Sequence, residues 1–111
     1  GLRITVLERD GRVIAFASSG PCREEPAVGE LWSLYADPDD WGTGAGRALL
    51  EDALQHLGES GYATAMLRVL AGNTRAIRFY ERAGFRTDGP PFEDSGLMSL
   101  RMRRGLPRAA T

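Results

Sequence analysis

Residues 30–46, ELWSLYADPDDWGTGAG, constrain the fold more than any other stretch. A bulky apolar run through Leu31, Trp32, Leu34 and Tyr35 stops at Asp37-Pro38. This predicts a strand over 30–38 and a turn, because proline cannot donate to a ladder and Asp-Pro starts turns. Gly42, Gly44 and Gly46 follow at alternate positions. The period then changes: Ala45, Leu49, Ala53 and Leu57 recur every fourth residue, with Leu50 and Leu54 widening the stripe. Glu51, Asp52 and Gln55 fall outside it. The spacing predicts a helix from about Thr43 to Leu57, ended by Gly58 or Gly61. Glycine costs backbone entropy, so three in five residues imply that something approaches the main chain closely.

The flanking segments build a sheet around this unit. Leu2, Ile4 and Val6 alternate with Arg3 and Thr5, Asp10-Gly11 is a two-residue turn signal, and Val13, Ile14, Phe16 and Ala17 form a return strand. Residues 21–29, PCREEPAVG, read as a loop. ATAMLRVLA, 63–71, is a mostly apolar run of strand length and predicts a central strand. Asn73 suits an N-cap for a helix from Thr74 to Ala83, with Gly84 at the position just past its end and Phe85 packing back. After a short strand and a Pro-Gly loop, Met98, Leu100 and Met102 alternate with Ser99, Arg101 and Arg103 in a last strand. One domain over 1–103 and a mobile tail over 104–111 are expected. The fold class is α/β or α+β with a mixed sheet.

Composition narrows the function. A net charge of −1 gives no global pull toward nucleic acid or an acidic membrane. One cysteine, Cys22, and one histidine, His56, are too few for a zinc site, and the lone thiol fits a reducing cytoplasm. No run has membrane-spanning length, and no signal peptide is recognisable. The opening GLRITV, without an initiating Met, predicts a piece of a longer chain.

A glycine turn at a helix start exposes unpaired amides and the positive end of the helix dipole, which suits a phosphate. A tight strand-to-helix turn with no ligand is the plain alternative. GTGAGRA, 42–48, lacks the Lys and Ser/Thr of a P-loop, and Arg47 stands where a dinucleotide fingerprint needs its third glycine.

LYADPDDWGTGAGRALLEDAL resembles the acetyl-CoA signature of the GNAT superfamily of N-acetyltransferases, whose pattern Arg/Gln-x-x-Gly-x-Gly/Ala falls on positions 41–46. Gly44 and Gly46 match; Trp41 departs from it. VLAGNTRAIRFYERAGF is similar to the later motif of that family, with Asn73, Ala76, Tyr80, Gly84 and Phe85 in place. The resemblance implies a mixed, mostly antiparallel sheet flanked by helices, here without the usual first strand and two helices that wall the acceptor pocket.

It further implies acetyl-CoA as co-substrate. Its arm would pair with the main chain of Leu34, Tyr35 and Ala36, and its pyrophosphate would lie on Trp41, Gly42, Thr43, Gly44, Ala45, Gly46 and Arg47. Asn73 and Ala76 would flank it. Tyr80 would be the general acid toward the leaving thiolate, and would also touch the cofactor; on periodicity alone it is a core tyrosine. Glu30 is a candidate base, or a solvated strand-end glutamate. Arg68 stands where relatives that acetylate protein N-termini carry a glutamate. The expected acceptor is a primary amine of a small molecule or peptide; a homodimer is expected, and no metal, nucleic acid or membrane partner. A non-catalytic acyl-CoA sensor and a nucleotide-binding domain are the alternatives.

Overall fold

The computed structural model describes residues 2–107. Strands β1 (Arg3–Arg9) and β2 (Arg12–Pro21) form the hairpin, with Asp10 and Gly11 both at positive φ, 53° and 76°, as a tight turn matching strand twist requires. Strand β3 (Gly29–Ala36) pairs with β2 and ends before a single 3-10 turn, Pro38–Asp40. Helix α1 (Ala45–Glu59) leads to β4 (Thr64–Leu70), and helix α2 (Thr74–Arg82) to β5 (Arg86–Thr87), β6 (Phe92–Asp94) and β7 (Leu97–Gly105). The sheet order is β1-β2-β3-β4-β7-β5, with β6 also on β7. Only β3 and β4 run parallel; all other neighbours are antiparallel.

Both helices pack on one face of the sheet. The stripe of α1, Ala45, Leu49, Leu50, Ala53 and Leu57, joins Ile14, Ala17, Leu31, Leu67 and Met102 in the main core. Tyr80, Ala83 and the fully buried Phe85 close it from α2. Gly84 takes φ +95°, the left-handed turn that ends α2 and returns Phe85, whose amide donates to the Tyr80 carbonyl at 3.0 Å. On the opposite face, Cys22, Val28 and Met66 make a small second cluster under the 22–28 loop. Glu24 of that loop accepts from Arg68 at 2.7 Å and from Arg101 at 3.0 Å, and Glu25 accepts from Arg103 at 2.9 Å, which holds the Glu25 carboxyl below its usual range.

Three expectations change. The alternation of β1 is real, but its polar side faces α1: Asp52 accepts from Thr5 at 3.1 Å and lies 3.3 Å from Arg3, while Ile4 and Val6 lie exposed on the other side. In β7 the apolar side holds at Met102 and fails at Met98, which is half exposed; Ser99 is buried instead, enclosed by Leu70 and Phe92 across its two ladders. The expected tail begins too early. Strand β7 runs through Gly105, Arg104 donates to the Ala83 carbonyl, and Leu106 is buried with its amide on the Ala63 carbonyl at 2.9 Å. Residues 104–106 thus tie β7 to the end of α2 and to the start of β4; 108–111 lie outside the described residues.

Candidate functional site

Strands β3 and β4 pair only at their first residues, Gly29, Glu30 and Leu31 with Ala65, Met66 and Leu67. A bulge explains why they part. Ser33 faces Ser18 across the β2 ladder but Leu31 faces Ser19, so Trp32 has no counterpart. The extra residue bends and twists β3 away from β4. Beyond it, residues 33–36 keep β2 on one side and have no strand on the other. The opening is a cleft of about 280 Å³, floored by Leu31 and Leu67 and walled by Trp32, Ser33 and Leu34 on one side, and by Arg68, Leu70, Asn73, Ala76 and Tyr80 on the other.

Of the sites read from the sequence, Leu34, Asn73, Ala76 and Tyr80 line this cleft, and Glu30, Tyr35, Ala36 and residues 41–47 do not. The Tyr35 side chain instead stacks on Phe16, ring centroids 5.6 Å apart, so only its main chain can serve the cleft. The Ala36 carbonyl accepts from the Trp41 indole at 2.9 Å. Thr43 turns its hydroxyl to the Asp40 carbonyl at 2.6 Å and so tightens the turn rather than facing a ligand. Arg47 points along α1 to Glu51, 2.9 Å away. Ala45 is buried in the core.

The glycines keep the turn bare. Gly42 and Gly44 have φ +84° and +92°, and a Cβ built on either meets nothing within 4 Å, so the space before them is open. Gly44 caps α1 in the left-handed conformation without a side-chain bond. The Ala48 amide makes the first bond back to Gly44 at 2.9 Å, which leaves the amides of residues 45–47 as the free donors of the helix. Gly46 faces the second helix instead; its Cβ would lie 3.7 Å from Phe79 Cζ.

Asn73 does cap α2: its side-chain oxygen accepts from the Ala76 amide at 3.1 Å, and its amide nitrogen stays available to the cleft. The Tyr80 ring packs edge-on against Phe79 and Phe85, with centroids at 5.3 and 5.9 Å. It is 9% exposed and reaches the cleft. Burial alone pushes its phenol up to about 12. Glu30 lies in the paired part of β3, outside the cleft lining, with Arg68 Nε 3.9 Å from its carboxylate.

Three residues escape a reading by motif. Trp32 and Ser33 enter the wall through the bulge, which no periodicity signals. Arg75 sets its guanidinium 3.8 Å from the Trp41 ring centroid; an arginine in the first turn of a helix without an acidic neighbour was the available sign. Among the described residues no cluster of His, Cys, Asp and Glu could hold a metal ion, and no helix is long and apolar enough to cross a membrane.

Known proteins share this arrangement. The Acetyltransferase (GNAT) family matches residues 1–85. A mycothiol acetyltransferase of Streptomyces coelicolor is 45% identical over 82 residues, 74% of this chain and 26% of its own. The ribosomal protein bS18-alanine N-acetyltransferase of Escherichia coli is 39% identical over 79 residues, 71% of this chain and 51% of its own. The crystal structure of the Escherichia coli ribosomal-protein-S18-alanine N-acetyltransferase superposes with a TM-score of 0.79 at 30% identity, covering 98% of this chain and 72% of that one. The chain thus spans about a quarter to a half of the length of these sequence relatives. The match over residues 1–85 takes in most of the chain, and the chain belongs to the GNAT acetyltransferase family.

Proposed function

We propose that this chain forms the acetyl-CoA-binding and catalytic core of an N-acetyltransferase acting on a primary amine. The observation that carries this is the cleft: an unpaired strand edge and a buried tyrosine border one opening, and the bare glycine turn follows in the chain after the end of that same strand. An extended amide-bearing arm can add to the free edge of β3 as another strand would. The amides of residues 45–47 can receive a pyrophosphate. The relatives, a mycothiol acetyltransferase and a ribosomal protein bS18-alanine N-acetyltransferase, differ enough that the acceptor is assigned here only as an amine.

The chemistry follows from the placement of groups. The amine lone pair attacks the thioester carbon, whose oxygen takes a hydrogen bond from the free edge of β3. The carbon–sulfur bond breaks as the amide forms. Tyr80 donates a hydrogen bond to the departing sulfur. A thiol is a far stronger acid than a phenol near 12, so the tyrosine keeps its proton and stabilises the thiolate through that hydrogen bond, and the thiolate is protonated from solvent. The proton lost by the amine leaves toward Glu30 through water, since Glu30 stands beside the cleft and not in it.

Titration with acetyl-CoA by calorimetry, and release of free CoA thiol over a panel of amines, test the reading. Tyr80→Phe is expected to bind acetyl-CoA as the parent does and to turn over roughly 10²–10⁴ more slowly. Glu30→Gln should fall less, mostly at pH values where the amine is still protonated. Because the phenol stays protonated to about 12, the parent rate should show no loss attributable to Tyr80 below pH 10. A parent that binds acetyl-CoA but releases no thiol with any amine would favour the non-catalytic sensor. A Tyr80→Phe variant at parent rate would remove the tyrosine from the chemistry.

A further inference from the structure

Position 41 opens the glycine turn, and this chain has tryptophan where the family pattern has arginine or glutamine. Trp41 brings no charge, and its single donor is committed to the Ala36 carbonyl. Its ring, half exposed, instead lies under the guanidinium of Arg75. Arg75 is in the first turn of α2, where the helix dipole disfavours a cation and favours an anion. That turn holds no acidic residue, and Arg75 has no ion pair among the described residues. Arg23, Arg78 and Arg82 are also exposed without an ion pair, so what distinguishes Arg75 is its seat on the Trp41 ring. An unpaired arginine set against a dipole breaks a local rule, and stacking on the Trp41 ring offsets that only in part.

A phosphate at the turn supplies the remainder. Residue 41 adjoins Gly42, so a guanidinium stacked on its ring stands at the mouth of the bare turn. The Arg75–Trp41 stack brings the first turn of α2 to residue 41, and the Gly46–Phe79 contact packs the start of α1 against the later half of α2. Stacking uses one face of the planar guanidinium and leaves its N–H groups free at the edge for paired bonds to phosphate oxygens. The geometry points to Arg75, held in place by Trp41, as the cation that replaces the charge missing at position 41 and grips the pyrophosphate of CoA. The inference rests on the cofactor reading above and adds a residue outside the glycine turn to it.

Calorimetric titration of the full chain with CoA, 3′-dephospho-CoA and phosphate-free pantetheine separates the possibilities. Arg75→Gln should weaken CoA and dephospho-CoA alike, by roughly 10–100-fold, the scale of a lost charged hydrogen bond. Pantetheine binding should be weak and the same in parent and variant. Trp41→Leu should weaken the two nucleotides by a smaller factor, since Arg75 stays but loses its support. Equal CoA affinity in parent and Arg75→Gln overturns the inference and leaves the cofactor reading standing. A loss with CoA but not with dephospho-CoA overturns it in favour of the 3′-phosphate. A comparable loss with pantetheine reveals a merely structural arginine. A parent that binds none of the three overturns the cofactor reading itself, and this inference with it.

Discussion

Tyr80 is protonated in folded and unfolded chains alike below pH 10, so there it adds no pH dependence to stability. Between about 10 and about 12 the unfolded phenol ionises while the buried one does not. Unfolding then releases a proton, and stability falls as pH rises through that window, by about 2–3 kcal/mol at its end. Tyr80→Phe removes this contribution. Urea midpoints measured at pH 9 and pH 11 should therefore lie closer together in the variant than in the parent; an unchanged difference would mean that the ring is wetter than its packing indicates. Gly44 makes a second residue-scale case. At φ +92° with open space before it, Gly44→Val costs on the order of 1–2 kcal/mol of backbone strain and puts a branched side chain where the phosphate would lie. The expected variant is folded, melts somewhat lower and no longer binds acetyl-CoA in calorimetry. The need for glycine there was legible in the sequence from its spacing. The burial of Tyr80 was not, since a helix periodicity does not say that Phe79 and Phe85 will enclose its ring.

Among the elements, α2 joins stability to binding through its cap. Asn73 uses its oxygen on the Ala76 amide and keeps its nitrogen for the cleft. Asn73→Ala should cost about 1 kcal/mol and weaken acetyl-CoA. Asn73→Asp retains a capping oxygen without an amide donor, so its melting temperature should stay near the parent's while affinity falls. Equal affinity in the aspartate variant would assign Asn73 to capping alone. Both helices, the hairpin turn and the cap were readable because capping and turn chemistry are local, acting within three or four residues. Element ends were less so: α1 begins at Ala45, two residues after the expected Thr43, since Thr43 closes the preceding turn on Asp40. The splay of β3 from β4 was beyond local reading. It depends on a bulge at Trp32, which is a relation between two strands and not a property of either one.

At the scale of the whole molecule, the sheet leaves an apolar surface uncovered among the described residues. Val6, Phe16 and Tyr35 stand in register across β1, β2 and β3, with Ile4 beside them, all on the side away from α1. Contiguous apolar surface of this kind promotes association. Sedimentation of this chain should show self-association that rises with concentration, and Val6→Glu with Phe16→Glu should suppress it without unfolding the helix-covered core. A monodisperse monomer across the concentration range would refute the expectation. By itself the sequence determined the order of the elements apart from β6, which it left in a loop, together with the hairpin turn, the glycine turn and the two family motifs, because each is written in neighbouring residues. Tertiary structure alone decided which side of β1 faces α1, how far β7 extends, where the sheet opens and that Arg75 lies over Trp41. Those outcomes come from contacts between residues far apart in the chain, Asp52 with Arg3, Arg104 with Ala83 and Arg75 with Trp41, and no local period carries them.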